Sequence, residues 1–421
     1  MQKFIFNHQN ESIMIIRKSI FLLAGILALS SCSNNDKEDN TNVGPTGPPV
    51  ETGTANTTYK PAFSGQTRAG SIQTTTEIES KVITNGLSAP WGVAYLPDGR
   101  LLVTEKAGKI KIVTQAGVIS NALTGVPAVN PDSQGGLLGI CLDPAYTTNR
   151  MIYWAFSEVV AGGNITAVAK GRISDDEKAI ENVTVIYRSN TPNASTLHYG
   201  GRVLFDKTGN LFVSIGERSV LETRPLAQAV TSSLGKVVRI TTSGQAAPGN
   251  PSFTQTGALP ELYSIGHRNP QGLAIHPTTG ELWQSEHGPR GGDEINRITA
   301  GANYGWPTIT YGIEYSGTKV GEGITQQTGM EQPVYYWDPV VSPSGMTFYA
   351  GNRVPEWQNN LFIGALSGMH IVRLAFKDNK VAGEERLLAG EGQRFRDITQ
   401  GKDEALYAVT DQGRLYRIDK K

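Results

Sequence analysis

The sequence predicts an all-β protein, a six-bladed β-propeller built from four-stranded antiparallel blades. A pattern of a short strand, a polar turn and a second alternating strand recurs six times, starting at Gly92, Leu138, Arg202, Gly272, Gly345 and Asp397. Glycine is frequent, with 48 residues, and charged residues make up 18% of the chain, a balance typical of turn-rich β structure. Helical periodicity is almost absent.

Each copy of the pattern has the features of a β-hairpin. Repeated sheets of this kind favour a propeller, because radial packing leaves only short strand edges. A strand near residues 78–83 is expected to complete the last blade and close the ring. The alternative is a seven-bladed ring with a degenerate copy within residues 303–340.

The N-terminus has the features of an export signal. Arg17 and Lys18 precede the apolar run "SIFLLAGILALSSC", which is too short to span a bilayer comfortably. Its last four residues resemble a bacterial lipobox, so we predict a signal peptide over residues 1–31, with Met14 as the better start, and a lipidated Cys32. The alternative is an ordinary signal peptide with a chance cysteine. The prediction makes the protein an outer membrane lipoprotein that faces the periplasm or the cell surface.

Residues 32–76 are rich in Gly, Pro, Thr and Asn and nearly free of aliphatic side chains. Such a segment buries too little apolar area to offset its chain entropy. We therefore predict a flexible linker between the lipidated Cys32 and a propeller domain over residues 77–421.

The overall charge excludes one class of partner. Acidic and basic residues are equal in number, 38 of each, and the formal net charge is zero. A nucleic-acid-binding protein needs a basic face, so no nucleic acid is expected as a partner.

Unusual polar sets lie just before predicted inner strands or just after second strands. They are "DSQGGLLGI", "LHYGGRVLF", "GER", "GHRNPQG", "SEHGPRGGDEIN" and "RFRD". In a propeller, the loops at these positions converge on one mouth of the central channel. The sequence therefore predicts one functional site at that mouth.

Several of these motifs together resemble one family. The stretches "LHYGGRVLFDKTGNLFVSIGER", "ELYSIGHRNPQGLAIHP", "SEHGPRGGDEINRITAGANYGWP" and "RFRDITQGKDEALYAVTD" are similar to the soluble quinoprotein glucose/sorbosone dehydrogenases, also called aldose sugar dehydrogenases. The resemblance covers residues 80–418. It implies a six-bladed propeller, pyrroloquinoline quinone (PQQ), Ca²⁺, and oxidation of aldose sugars to lactones. Electrons would pass to a quinone or cytochrome acceptor.

The residue types suit this cofactor. PQQ carries carboxylates and an electrophilic ortho-quinone, and guanidinium groups bind carboxylates in a bidentate way. The resemblance places Arg268 and Asn269 at the quinone oxygens, Arg394 and Arg396 at the carboxylates, and Gln134 at the sugar or cofactor. The structural alternative is that these arginines pair with acids, Arg396 with the adjacent Asp397.

His198 is the predicted general base. A neutral imidazole, with a reference pKa of about 6.5, accepts a hydroxyl proton near neutral pH. It would take the proton of the anomeric hydroxyl while hydride leaves the anomeric carbon for C5 of the quinone. Arg268 would stabilise the charge that develops on the quinone oxygen. The resemblance makes Glu217 the acid that orients the base.

The calcium sites rest on the resemblance alone. Backbone carbonyls of Gly288 and Pro289 are implied as ligands of the ion under the cofactor. A second ion is implied between Glu314 and the carbonyls of Thr310 and Gly312. Ca²⁺ prefers hard oxygen ligands of this kind.

One residue departs from the family pattern. The best-studied branch places a cofactor-binding lysine where this chain has Ser367, and His370 is a candidate to compensate. Ser367 supports one alternative to the dehydrogenase, a non-catalytic carbohydrate-binding propeller, and a second alternative is a Ca²⁺-dependent lactonase. The arginine cluster argues against the lactonase. The preferred sugar and the choice between monomer and homodimer stay open.

Overall fold

Six antiparallel sheets follow one another along the chain in the computed structural model, which describes residues 46–421. The predicted signal peptide, the Met14 start and the lipidated Cys32 lie outside these residues. The strands are β1 Ile78–Thr84, β2 Pro90–Tyr95, β3 Leu101–Glu105, β4 Lys109–Val113, β5 Leu137–Leu142, β6 Met151–Val160, β7 Gly163–Ile173, β8 Ile180–Arg188, β9 Val203–Phe205, β10 Leu211–Ile215, β11 Lys236–Ile240, β12 Leu262–Ile265, β13 Pro270–Ile275, β14 Leu282–Glu286, β15 Asp293–Ile298, β16 Tyr335–Trp337, β17 Pro343–Phe348, β18 Leu361–Ala365, β19 His370–Lys377, β20 Lys380–Leu387, β21 Phe395–Gln400, β22 Leu406–Thr410 and β23 Leu415–Lys420.

Helical structure is sparse in the described chain. One short helix, α1, spans Tyr146–Asn149, and 3₁₀ turns span Arg224–Ala227, Pro355–Trp357 and Ala389–Glu391. No helix within residues 46–421 has the length and apolar character needed to cross a bilayer.

The sheets are the blades of a six-bladed propeller, as predicted. Blade 1 is β2-β3-β4, and blades 2 to 5 are β5 to β8, β9 to β12, β13 to β16 and β17 to β20, each in sequence order. Blade 6 is β21-β22-β23 with β1 at its edge. The six hairpin copies found in the sequence are the first two strands of the six blades.

The apolar core lies between neighbouring blades. One cluster joins blades 2 and 3, with Tyr153 and Val213 among its buried side chains. Another joins blades 4 and 5 around Trp283 and Leu374. Similar clusters fill the other four junctions, including the one between blades 6 and 1. Each sheet thus buries both faces, which explains why most strand residues are apolar.

An N-terminal strand closes the ring. Strand β1 pairs antiparallel with β23, with Ile78 opposite Lys420 and Val82 opposite Tyr416. The predicted closing strand is therefore confirmed. The seven-bladed alternative is wrong, because residues 303–340 contain only β16 and a few isolated bridges, and β16 is the outer strand of blade 4.

Blade 1 has three strands where four are expected. After β4 the chain turns at Gly117 and forms only isolated bridges, Val113 with Ile119 and Thr124 with Ala179 of blade 2. The following stretch, "SNALTGVPAVNPDS", is rich in residues that favour turns over regular pairing.

Residues 46–76, which the sequence assigns to a flexible linker, lie against blades 4 and 5. We call this segment the strap. Gln66 and Ile72 are buried in it, and Ser71 forms a bridge with Glu384 of β20. Asp338 accepts hydrogen bonds from backbone and side-chain groups of Asn56 and Thr57, all between 2.8 and 3.0 Å. Low apolar content does not leave these residues without contacts to the propeller, because hydrogen bonds to the buried carboxylate of Asp338 replace the missing apolar contacts.

Candidate functional site

The predicted site residues converge on one face of the propeller. Two kinds of connection reach this face: the loops that enter each inner strand and the hairpins between second and third strands. Gln134, His198 and Arg268 lie on connections of the first kind, before β5, β9 and β13. Glu217 and Gly288 lie on hairpins of the second kind. The prediction that these loops meet at one mouth is therefore confirmed by the topology.

A cavity of about 480 Å³ opens at this mouth. Its lining comes from all blades except blade 3, and consists of Ala89, Trp91, Lys106, Ser133, Gln134, Gln271, His287, Tyr315, Ser342, Leu366, Arg394, Arg396 and Asp411. The volume is in the range that accommodates small organic ligands.

His198 and Glu217 form a buried pair beside the cavity. The imidazole Nδ1 lies 2.6 Å from Oε1 of Glu217, and both side chains are almost fully buried. Burial lowers the pKa of His198 well below its ordinary value, and the nearby Arg268 guanidinium lowers it further. The imidazole is therefore neutral at neutral pH.

Burial raises the pKa of Glu217 to about 7, although the guanidinium groups of Arg268 and Arg224 act in the opposite direction. An ionised Glu217 accepts the proton on Nδ1 of His198 and so leaves Nε2 as the proton acceptor of the ring. A protonated Glu217 donates to Nδ1 and selects the other tautomer. The charge of Glu217 thus decides whether His198 can serve as a base at Nε2.

The backbone at His198 is held in an uncommon conformation. Its φ is 45°, in the left-handed region, and its N–H donates to Oε1 of Gln134 at 2.8 Å. Gly216 precedes Glu217, and any side chain there would overlap the carbonyl oxygen of His198. Gln134 and Gly216 therefore position the imidazole, and left-handed residues of this kind cluster at functional sites.

Arg268 is fixed by its backbone and by its guanidinium group. Its N–H donates to Oε2 of Glu286 at 2.7 Å. Its Nη1 donates to the carbonyl oxygens of His287 at 3.1 Å and Gly288 at 2.7 Å, and the guanidinium lies 5.2 Å from the ring centre of Trp306. Within residues 46–421, no carboxylate pairs with the guanidinium group of Arg268. The structural alternative, in which this arginine pairs with a buried acid, is therefore not supported.

Two buried donor groups beside the cavity have no hydrogen-bond partner within residues 46–421. They are Nε of Arg268 and Nδ2 of Asn269, and the neighbouring Nε2 of His287 also has no partner. Burial lowers the pKa of His287 well below its ordinary value and the ring bonds to the backbone of Pro343, so the imidazole is neutral and its Nε2 is an acceptor. The residues are neighbours, since the N–H of His287 donates to the carbonyl oxygen of Asn269 at 3.3 Å. A buried donor without a partner is costly, so this cluster fits a ligand with acceptor oxygens.

Arg394 and Arg396 share one carboxylate. Nε and Nη2 of Arg396 donate to the two oxygens of Asp411 at 2.8 and 3.0 Å, and Nε of Arg394 donates to the same group at 2.9 Å. Burial alone would raise the pKa of Asp411, but the two guanidinium groups lower it. The alternative that these arginines pair with an acid therefore holds for both, but the acid is Asp411 and not Asp397, which pairs with Arg202 at 2.7 Å.

The loop proposed to hold Ca²⁺ under the cofactor is rigidly anchored. Asp293 accepts the N–H of Gly288 at 2.8 Å and those of Val341 and Ser342 at 2.8 and 2.6 Å. It thereby ties the loop that carries Gly288 and Pro289 to blade 5. Ligation by these two carbonyls stays a prediction.

The residues of the second proposed calcium site are not arranged around a free carboxylate. Both oxygens of Glu314 contact Arg224, whose Nη2 donates to Oε2 at 3.3 Å. The Oγ of Thr310 accepts the N–H of Gly312 at 3.1 Å. Within residues 46–421, no three His, Cys, Asp or Glu side chains come together to hold a metal ion. The second site stays a prediction, and the Arg224 pair counts against it.

Sequence reasoning missed Lys106 and Asp411 as cavity residues. Lys106 and Asp411 follow the second strands of blades 1 and 6, as Glu217 and His287 follow those of blades 3 and 4. The rule that identified the "GER" and "SEHG" turns therefore applies equally to "TEKAG" and "TDQG". The residue types of these two turns are ordinary for hairpins and give no further signal of function.

Known proteins of one family match this chain in sequence. The sequence model of the Glucose / Sorbosone dehydrogenase family matches residues 87–417. The aldose sugar dehydrogenase YliI of Escherichia coli strain K12 is 40% identical over 346 residues, which are 81% of this chain and 92% of that protein. The match to the family contains every predicted site residue from Gln134 to Arg396.

Solved structures agree with the fold. The soluble aldose sugar dehydrogenase of E. coli in its apo form matches with a TM-score of 0.77 at 40% identity, over 82% of this chain and 100% of that chain. The PQQ-bound aldose sugar dehydrogenase of Streptomyces coelicolor matches with a TM-score of 0.67 at 29% identity, over 82% and 99% of the two chains.

Proposed function

The chain belongs to the glucose/sorbosone dehydrogenase family, and on that premise we propose that it oxidises aldose sugars at the anomeric carbon to lactones with PQQ as cofactor. The observation that carries the proposal is the pair of His198 and Glu217, a neutral imidazole held by a carboxylate beside a cationic cavity. A site that only binds sugar has no need of such a pair.

The described residues fit PQQ. The unpartnered donors of Arg268 and Asn269 suit quinone oxygens, and Arg394 and Arg396 suit carboxylates. When bound, PQQ supplies an electrophilic C5 that takes up the hydride, a two-electron reduction of the quinone. Its reoxidation then needs an acceptor, for which we propose a quinone or a cytochrome.

His198 removes the proton of the anomeric hydroxyl with Nε2. Its Nδ1 keeps its own proton, which is hydrogen-bonded to Glu217. Loss of that proton together with the hydride converts the aldose into its lactone, so the two electrons leave with the hydride. Gln134 holds the backbone of His198 in place, and Arg268 offers positive charge beside the base.

We propose that Ca²⁺ binds the carbonyl oxygens of Gly288 and Pro289. The carbonyl oxygen of Gly288 also accepts from Nη1 of Arg268, and its second lone pair would serve the ion.

The pH dependence of turnover should follow Glu217. Turnover in the wild type should rise with pH through about 7, because Glu217 must be ionised to keep the Nε2 lone pair of His198 free. In Glu217→Gln this limb should disappear, and turnover above pH 8 should fall by roughly 10²-fold or more, because the wrong tautomer is no longer excluded. The measurement is kcat against pH at saturating sugar and cofactor. An unchanged rise of kcat with pH in the variant would show that ionisation of Glu217 does not control turnover.

The function is tested by titration of the purified protein with PQQ, with and without Ca²⁺, followed by dye reduction with a panel of aldoses. Saturable dye reduction that requires PQQ, and is enhanced by Ca²⁺, is the expected result. PQQ binding without turnover on any aldose would favour the non-catalytic alternative. Absence of PQQ binding at micromolar concentration would overturn the proposal.

We further propose that Cys32 carries a lipid that anchors the protein to the outer membrane. The "LSSC" run supports this. Palmitate labelling of cells should mark the wild type and not Cys32→Ala. Equal labelling of both, or of neither, would contradict the anchor.

A further inference from the structure

Blade 5 supplies no cation to the cavity in the place where the family resemblance leads one to expect a lysine. Ser367 stands there, exposed, with its Oγ 2.8 Å from Oγ of Ser342. His370 does not compensate, because burial lowers its pKa to about 4 and its Nδ1 is bonded to the carbonyl oxygen of Gly368. His370 is therefore neutral, and it is not part of the cavity lining.

Lys106 of blade 1 brings an ammonium group into the same cavity. It lies in the hairpin between β3 and β4, and its Nζ donates to the carbonyl oxygen of Ser133, the neighbour of Gln134. Within residues 46–421, Lys106 forms no ion pair. Its charge is thus held at the cavity wall by a neutral acceptor alone.

The backbone of Lys106 is held in place from both sides. Its N–H donates to the carbonyl oxygen of Ala89 at 3.1 Å, and its own carbonyl oxygen accepts from Leu137 at 3.0 Å. Gly136 packs so closely on this carbonyl group that no side chain fits there. The ammonium group is therefore presented from a fixed hairpin.

The charges that line the cavity do not balance. Lys106, Arg394 and Arg396 face the single carboxylate of Asp411, so two positive charges are in excess among the described lining residues. Burial lowers the pKa of Lys106, and the nearby Arg396 lowers it further, while Asp411 raises it. Bringing cations together in this way is unfavourable unless an anion joins them.

We propose that Lys106 binds a carboxylate of PQQ and supplies the cation that Ser367 cannot provide. The inference rests on the proposed function, since it assumes that PQQ is the cofactor. A neutral aldose offers no charge to balance the excess, whereas the carboxylates of PQQ do. Lys106 and the two arginines thus form one anion-binding wall built from blades 1 and 6.

The test is the affinity of the full-length protein for PQQ in Lys106→Met, measured by quenching of tryptophan fluorescence at low and high salt. Trp91 lines the cavity and gives a local signal. Loss of one charge-assisted contact should weaken binding by about tenfold or more. The salt dependence of Kd should also decrease.

Two further variants separate a role in binding from a role in folding. Lys109→Met removes an exposed lysine from the same hairpin and should leave Kd unchanged. Lys106→Arg should restore Kd to within a few fold of the wild type.

The outcomes distinguish the two claims. If the wild type binds PQQ and Lys106→Met binds it equally well at an unchanged melting temperature, the role of Lys106 is wrong and the proposed function stands. If Lys106→Met is too unstable to measure, Lys106→Arg serves as the test. A stable Lys106→Arg protein that binds PQQ much more weakly than the wild type would also contradict the role of the charge. If the wild type does not bind PQQ, the proposed function itself fails.

Discussion

The His198→Gln variant should lose about 10²- to 10⁴-fold in turnover while its affinity for PQQ and its melting temperature change little. Glutamine fills similar space and can still bond to Glu217, but its amide is too weak a base to take the hydroxyl proton. The loss should therefore appear in kcat and not in cofactor binding.

The measurements for this variant are steady-state dye reduction, PQQ titration and thermal unfolding. His198 is buried and its φ is positive, so the melting temperature must be checked beside the rate. A variant that is stable, binds PQQ and retains full turnover would show that another group is the base. His287, whose Nε2 is buried without a partner in the described chain, would then be the next candidate.

The Arg268→Met variant should lose both cofactor affinity and turnover. Its guanidinium group spans the carbonyl oxygens of His287 and Gly288 and keeps a further buried donor free, so its loss removes positive charge and loosens the loop. We expect turnover to fall by about 10²- to 10³-fold at saturating PQQ, the effect of losing one stabilising donor. Binding of PQQ should weaken by about tenfold or more.

Two comparison variants sharpen this prediction. Arg268→Lys keeps the charge but loses the planar fork, so it should recover part of the affinity and little of the turnover. Arg290→Met removes an exposed arginine from the neighbouring loop and should leave both values unchanged. Normal kinetics in Arg268→Met would make the residue a structural element and overturn its assigned role.

Much of the fold follows from local patterns. Hairpins depend on short-range alternation and turn residues, so the first two strands of all six blades are visible in the sequence. The order of strands in a blade then fixes which loops share a face. From this rule it follows that Gln134, His198 and Arg268, which precede the inner strands of three blades, lie on the same face.

Other features depend on pairings that no local pattern reveals. Asp411 pairs with two arginines, and Arg224 pairs with Glu314, across separations of 15 to 90 residues. The strap is held by Asp338, which lies more than 280 residues further along the chain. Composition predicts a flexible segment there because it records the lack of apolar residues but not the acceptors supplied by the propeller.

The most direct test of the central claim is a single turnover without oxygen. Protein loaded with PQQ and Ca²⁺ is mixed with saturating aldose carrying hydrogen or deuterium at the anomeric carbon, and the cofactor absorbance is followed. The account predicts full reduction of the bound cofactor, slowed several-fold by deuterium because that C–H bond breaks. Cofactor that stays oxidised with every aldose, or reduction at equal rates by both forms of the sugar, would contradict it.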